Sequence, residues 1–160
     1  GSGHPPAPVA SIDTAAWRRA IDIVLTGTWL CMKHEIRQMV KQGSGSIVNV
    51  ASTVGMKGWP YLAGYGAAKA GMIHLTRTAA IETAKQGIRI NAISPGPVAT
   101  EMVASAVRDS PDVEQQILAT VPMGRISEPE ETIELVLWLS SDKASYVTGA
   151  NYVLDGGQTA

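Results

Sequence analysis

Residues Ile47 to Ala70 constrain the fold of this chain more than any other stretch. Ile47, Val48 and Val50 are β-branched, and Gly43 and Gly45 punctuate the approach to them, so the segment ending at Ala51 reads as a buried strand. After a glycine-bearing loop, Tyr65-Gly66-Ala67-Ala68-Lys69-Ala70 opens a helix of small residues that continues through Met72, Leu75 and Ala79. Gly87 stops that helix, and Ile88–Ile93 follows at once as a second apolar strand. A third, Asn151–Leu154, follows a further helix. Strands at 46–51, 88–93 and 151–154 that alternate with helices predict an α/β fold, part of a doubly wound parallel sheet with right-handed crossovers.

The remaining segments fit between these strands. Asp13 is a good N-cap, and Trp17, Ile21, Leu25, Thr28, Met32, Ile36 and Met39 then form one helical stripe. Gly27 lies inside that helix, where it costs about 1 kcal/mol against Ala, so a neighbouring element is expected to approach closely there. The helix bearing Tyr65 is expected from about Tyr61 to Lys85. Two short helical patterns fill 101–121, the second opened by Ser110-Pro111. Ser127-Glu128-Pro129-Glu130 reads as a capping box that opens the last helix. Gly1 to Ala10 reads as a Gly/Pro-rich loop.

Composition excludes several classes. With 160 residues, 45% apolar, the chain makes one domain, 1–160, with a substantial core. No apolar run is long enough to span a membrane. A net charge of −1 without a basic stripe argues against nucleic acid as a partner. Cys31 is the single cysteine, which excludes an internal disulfide and fits a reducing, cytoplasmic setting. His4, His34 and His74 lack metal-ligand spacing and read as surface or packing residues, so no metal site is expected.

The chemistry gathers where the first strand ends. Ser52 lies just past the carboxyl end of that strand, where ligands bind in open α/β sheets. Tyr65 and Lys69 are four apart and share a helix face. A phenol titrates near pH 10, and a neighbouring ammonium favours its ionised form. Such a phenol exchanges a proton with an alcohol or carbonyl oxygen that a serine hydroxyl holds. The set suits carbonyl reduction or alcohol oxidation, with hydride supplied by a cofactor. Trp59, Pro60 and Tyr61 read equally as pocket lining or as loop packing. Met102, Val103 and Met123 are candidate substrate contacts, with ordinary core contact as the alternative.

Ser52, thirteen residues before Tyr65, and the Tyr-x-x-x-Lys spacing together resemble the signature of the short-chain dehydrogenase/reductase family. Ser94-Pro95-Gly96-Pro97-Val98-Ala99-Thr100 resembles the Pro-Gly segment of that family, and Asp155-Gly156-Gly157 its carboxyl end. The resemblance implies a Rossmann-like fold and an NAD(P)-dependent oxidoreductase. Ser52, Tyr65 and Lys69 would be catalytic. Tyr65, Lys69, Pro95, Gly96, Val98 and Thr100 would hold NAD or NADP. Small carbonyl or alcohol substrates and a homo-oligomer are implied as well. In place of the family's Asn-Leu-x-Gly stands Val24-Leu25-Thr26-Gly27, so Val24 replaces a catalytic asparagine.

The resemblance runs from about Ala15 and covers the carboxyl half of the family's fold. Gly1-Ser2-Gly3 looks like the continuation of the Asn-Asn-Ala-Gly segment that precedes it. The expectation is therefore a catalytic half that lacks the amino-terminal dinucleotide-binding half, and tight cofactor binding by this chain alone is not expected. Two alternatives stand beside the oxidoreductase. One is a cofactor-independent hydrolase that reuses Ser52, Tyr65 and Lys69, and the other a non-catalytic assembly module or fragment.

Overall fold

The computed structural model describes residues 5–109 and 112–160. The readings placed on Gly1-Ser2-Gly3, on His4 and on the Ser110-Pro111 helix start lie outside them. Among the described residues, three strands form one parallel sheet: β1 (Gly45–Val50), β2 (Ile88–Pro95) and β3 (Asn151–Leu154), in that spatial order. Gly45 pairs with Ile88 and Val50 with Ile93 in one ladder, Ala92 with Asn151 and Pro95 with Leu154 in the other. Helices connect the strands, as the alternating pattern requires. β2 extends two residues beyond the expected Ile93. Ser94 is fully buried, its hydroxyl donating to Asn151 Oδ1 at 2.8 Å, and Pro95 at the strand's end still pairs with Leu154.

The apolar stripe from Trp17 to Met39 folds as three pieces. Asp13 caps α1 (Thr14–Ala20), accepting from the Ala16 N–H. Ile21–Thr26 then makes a π-helical run, closed by the Gly27 N–H on Asp22 O, before α2 (Gly27–Gln42). Gly43, at φ +71°, ends α2 in the left-handed conformation that glycine tolerates best. Nothing crowds Gly27: a Cβ there would meet only Asp22 O, at 3.6 Å. The close approach lies on the partner helix instead. On α3 (Ala63–Thr83), a Cβ at Gly71 would fall 2.8 Å from Leu25 Cδ2. The expected reason for Gly27 therefore belongs to Gly71.

The core sits between the sheet and these helices. Ile88, Ile90 and Ile93 of β2 are fully buried. Each contributes about 1.5–3 kcal/mol by leaving water. Met32, Ile47, Ala79 and Ala80 close one cluster around β2. Val24, Ala51, Ala68, Met72 and Ile73 form a second, on which Tyr65 packs. Buried polar groups fix the last connection: Asn91 donates to Val147 O at 2.9 Å and accepts from the Ala150 N–H at 3.1 Å.

Beyond β2 lie α4 (Glu101–Asp109), α5 (Asp112–Leu118) and α6 (Pro129–Ser140). The capping box of α6 is shifted one residue from its expected place. Glu128 is the cap and Glu131 closes the box, its carboxylate accepting from the Glu128 N–H at 2.9 Å. Ser127 is freed to donate to Pro97 O at 3.1 Å.

Candidate active site

The pairing of β1 with β2 runs one step past Val50, because the Ala51 N–H donates to Ile93 O at 2.7 Å. The chain then leaves the sheet. Ser52 is extended and caps a short 3₁₀ turn, Thr53–Gly55, its Oγ accepting from the Val54 N–H at 3.2 Å. That turn lies directly on the backbone of α3. A Cβ at Gly55 would fall 2.7 Å from the Lys69 carbonyl carbon and 2.8 Å from Ala70 N, and one at Gly66 3.0 Å from Val54 O. Two glycines, one on each element, thus let the loop meet the helix without side chains between them, and Ser52 is brought to Tyr65.

Tyr65 and Lys69 share the face expected of them. Burial pushes the Tyr65 phenol above its ordinary range, and hydrogen bonding with the Ser52 side chain draws it partly back. Burial likewise pulls the Lys69 ammonium down. Lys69 Nζ donates to Val50 O at 2.6 Å and lies 5.6 Å from the centroid of the Tyr65 ring. The sequence suggested an ammonium that lowers the phenol. Here loss of water around the ring comes first and acts in the opposite direction, with Ser52 as the group that favours ionisation. Val24 lies in the π-helical run, nearly buried with Ala51, Ala68 and Met72. Its carbonyl already accepts from Thr28 Oγ1 at 2.7 Å, within its own helix.

The segment after β2 offers groups that fit an amide. Gly96 N–H donates to Leu154 O, Ala99 N–H to Ser127 O and Thr100 N–H to Val98 O, at 2.8–2.9 Å. Val98 bridges Ser127 in parallel, an arrangement that uses the amides on either side of Val98. The Val98 N–H and the exposed Thr100 side chain take no hydrogen-bond partner among the described residues, which leaves a donor and a hydroxyl for a carboxamide. Lys69 retains two further N–H groups beyond the one given to Val50. These residues fit the nicotinamide-ribose end of a dinucleotide.

A cavity of about 460 Å³ opens beside Ser52, walled by Trp59, Leu62, Pro97, Val113 and Ile117. Its remaining lining is neutral too, and Ser52 is the member of the catalytic set that reaches it. Trp59 is therefore a wall residue, whereas Pro60 and Tyr61 are exposed, Tyr61 in the left-handed region at φ 68° with its carbonyl accepting from the Ala7 N–H. Met123 lines a separate cavity of about 90 Å³ with Pro97 and Val121. Val103 lines neither, and the side chain of Met102 lies outside what is described. Thr53 and Gln158 also line the larger cavity and carried no signal in the sequence. One follows the serine as an ordinary turn residue, and the other follows two glycines that read only as a turn.

Comparison with known proteins gives the following. The family model described as enoyl-(acyl carrier protein) reductase matches residues 2–159. A cis-4-hydroxycyclohexanecarboxylate dehydrogenase of Sinomonas cyclohexanicum is 48% identical over 160 residues, the whole of this chain and 63% of that protein. A 2,5-dichloro-2,5-cyclohexadiene-1,4-diol dehydrogenase of Sphingobium indicum is 44% identical, over 96% of this chain and 62% of its own length. The chain thus spans a little over three fifths of these relatives. Among solved structures, ElxO with NADP bound superposes with a TM-score of 0.92 at 30% identity, covering 97% of this chain and 63% of that one.

Proposed function

The chain belongs to the short-chain dehydrogenase/reductase family, and from that premise we propose that residues 1–160 form one catalytic domain of an NAD(P)-dependent oxidoreductase that interconverts a small alcohol and its carbonyl compound. The observation that carries the reading is the Ser52–Tyr65 pair, brought together at the carboxyl end of β1 by the close seat of the Thr53–Gly55 turn on α3, with a neutral cavity on one side and the open amide donor of Val98 near the other strand end. A bound nicotinamide, NAD or NADP, supplies or accepts the hydride. Everything else falls to this chain. The Ser52 hydroxyl holds the substrate oxygen, and Tyr65 gives that oxygen a proton in reduction or takes one in oxidation. Lys69 is held beside the phenol by Val50 O and offers its remaining N–H groups to ribose hydroxyls. Pro95 and Gly96 set the turn from which Val98 and Thr100 face the carboxamide. The two relatives are named for substrates with a hydroxylated six-membered ring, one of them also a carboxylate, and the cavity has room for such a ring, so an alicyclic alcohol is the substrate class we favour.

The hydrolase alternative finds less support. Lys69 donates to a strand carbonyl rather than to the serine, so Ser52 has the phenol but no ammonium to activate it as a nucleophile.

The direction of the Tyr65 shift sets the pH dependence. Oxidation needs the phenolate, and a raised pKa delays its formation, so the rate of cyclohexanol oxidation at millimolar NAD(P) should still be rising as pH passes ordinary phenol values. Ketone reduction needs the phenol and should stay level through neutral pH. An oxidation rate that reaches its plateau below neutral pH would remove Tyr65 as the base, and no turnover with either nucleotide would sink the reading as a whole.

Assembly follows from two open surfaces. β1 pairs on one side only among the described residues, and along its other side a groove of about 590 Å³ runs past Ile23, Cys31 and Met39. Trp29 and Leu30 of α2 are more than two-fifths exposed. We therefore expect at least a dimer at micromolar concentration in analytical ultracentrifugation. A sharp monomer peak would rule it out. No helix among the described residues is long and apolar enough to cross a membrane, and the single exposed thiol of Cys31 is in keeping with the cytoplasm.

A further inference from the structure

The carboxamide of Gln158 joins three segments that are distant in sequence. Its Oε1 accepts from the Thr53 hydroxyl at 3.1 Å, and its Nε2 donates to Thr120 Oγ1 at 2.8 Å. Thr120 in turn donates to Ile117 O at 2.7 Å. The Thr53 and Thr120 hydroxyls each donate once, so the bonds run in a single direction from the turn beside Ser52 to the end of α5. Thr53 is 3% exposed and cannot turn to water instead.

The mount of Gln158 is itself rigid. Asp155 takes the Gly157 N–H on Oδ1 at 2.9 Å, and both the N–H and the hydroxyl of Thr159 on Oδ2, at 2.8 and 2.6 Å. Those bonds hold the carboxylate below its ordinary range against the effect of burial. A Cβ at Gly96 would come 3.3 Å from Gln158 Oε1, so the amide has little room on the β2 side. Val113, Ile117 and Thr120 line the cavity from α5 and the residues just after it, and Ser52 lines it from the turn after β1. We propose that Gln158 is a positioning residue, a clamp that fixes the α5 wall to the catalytic turn and thereby sets the width of the substrate cavity. The clamp acts on binding rather than on the proton transfer, because it touches Thr53 and Thr120 and neither Tyr65 nor Ser52.

This inference rests on the oxidoreductase reading for what fills the cavity, but not for its principal test. Backbone hydrogen exchange compares the wild type with Gln158→Met, which keeps the length and removes both bonds, and with Thr53→Val, which cuts only the turn side and leaves the Thr120–Ile117 bond in place. Losing one such bond opens a segment about five- to tenfold more often. The amides of residues 117–120 should exchange faster by that factor in both variants, with those of Ile90 and Ala92 unchanged. Unaltered exchange at 117–120, or equal acceleration in β2, would overturn the clamp. If Gln158→Met does not fold, Thr53→Val decides. In turnover, both variants should raise KM several-fold more than they lower kcat, and a fall in kcat with KM unmoved would also overturn it. A wild-type chain that oxidises no alcohol would sink the oxidoreductase reading while the exchange measurement still judges the clamp.

Discussion

Tyr65→Phe should lose ~10²–10⁴-fold in kcat/KM for ketone reduction and keep its fold. The ring packs on the cluster of Val24, Ala68 and Met72, and Phe supplies the same ring. What disappears is the hydroxyl beside Ser52, the group proposed to carry the proton. Ser52 keeps the Val54 N–H as a partner, so the turn has no new unpaired group to accommodate. Thermal unfolding within a few degrees of the wild type, with the rate lost, is the expected pair of results. A Phe variant with undiminished turnover would make Tyr65 a packing residue and move the proton donor elsewhere.

Gly55→Ala should be nearly as damaging, although it adds one methyl group and removes nothing. The three nearest atoms at that position are Lys69 C, Ala70 N and Lys69 Cβ, all fixed to the body of α3, and they cannot swing aside as a side-chain tip would. Either the turn lifts or the helix gives, and Ser52 parts from Tyr65 in both cases. A misplacement on the order of 1 Å costs about 10²-fold in rate, and the overpacking itself about 1–3 kcal/mol of stability. Gly58, in the same loop, is the control: a Cβ there meets nothing within 4 Å, so Gly58→Ala should be close to neutral. The comparison needs only kcat/KM and a denaturant curve for each. Equal rates for the two alanine variants would show that the turn has slack against α3.

The strands, their parallel pairing and the positions of Ser52, Tyr65 and Lys69 were legible because each rests on local pattern. A β-branched run, a helical spacing of four and a glycine stop need no distant partner to be read. What escaped depends on contacts between segments. Gly27 and Gly71 look alike in sequence, and only the packing of Leu25 against α3 tells which one must be small. Trp59, Pro60 and Tyr61 form one aromatic-rich run, yet only Trp59 turns inward, because the backbone at Tyr61 enters the left-handed region and carries its side chain outward. The direction of the Tyr65 shift was misread for a related reason. Spacing places the ammonium beside the phenol, but the burial that raises the phenol comes from packing on a cluster that includes Val24 of the π-helical run and Ala51 after β1. Gln158 had no legible role, since its partners Thr53 and Thr120 lie 105 and 38 residues away from it.

The order of the sheet also bears on how the site comes into being. β1 finds β2 only after the whole of α3 has been made, and β3 must close a loop that begins near Ala92 and returns at Asn151. Parallel pairings of such separation form slowly, since loop closure precedes any reward from the ladder. A chain that has joined β1 to β2 already holds Ser52, Tyr65 and Lys69 in register, but it still lacks the wall, the carboxamide donor's neighbour at Ser127 and the turn that carries Gln158. The catalytic groups thus rest on the shorter of the two closures and the cavity wall on the longer, so loop-closure entropy costs the part of the site that selects somewhat more than the part that reacts.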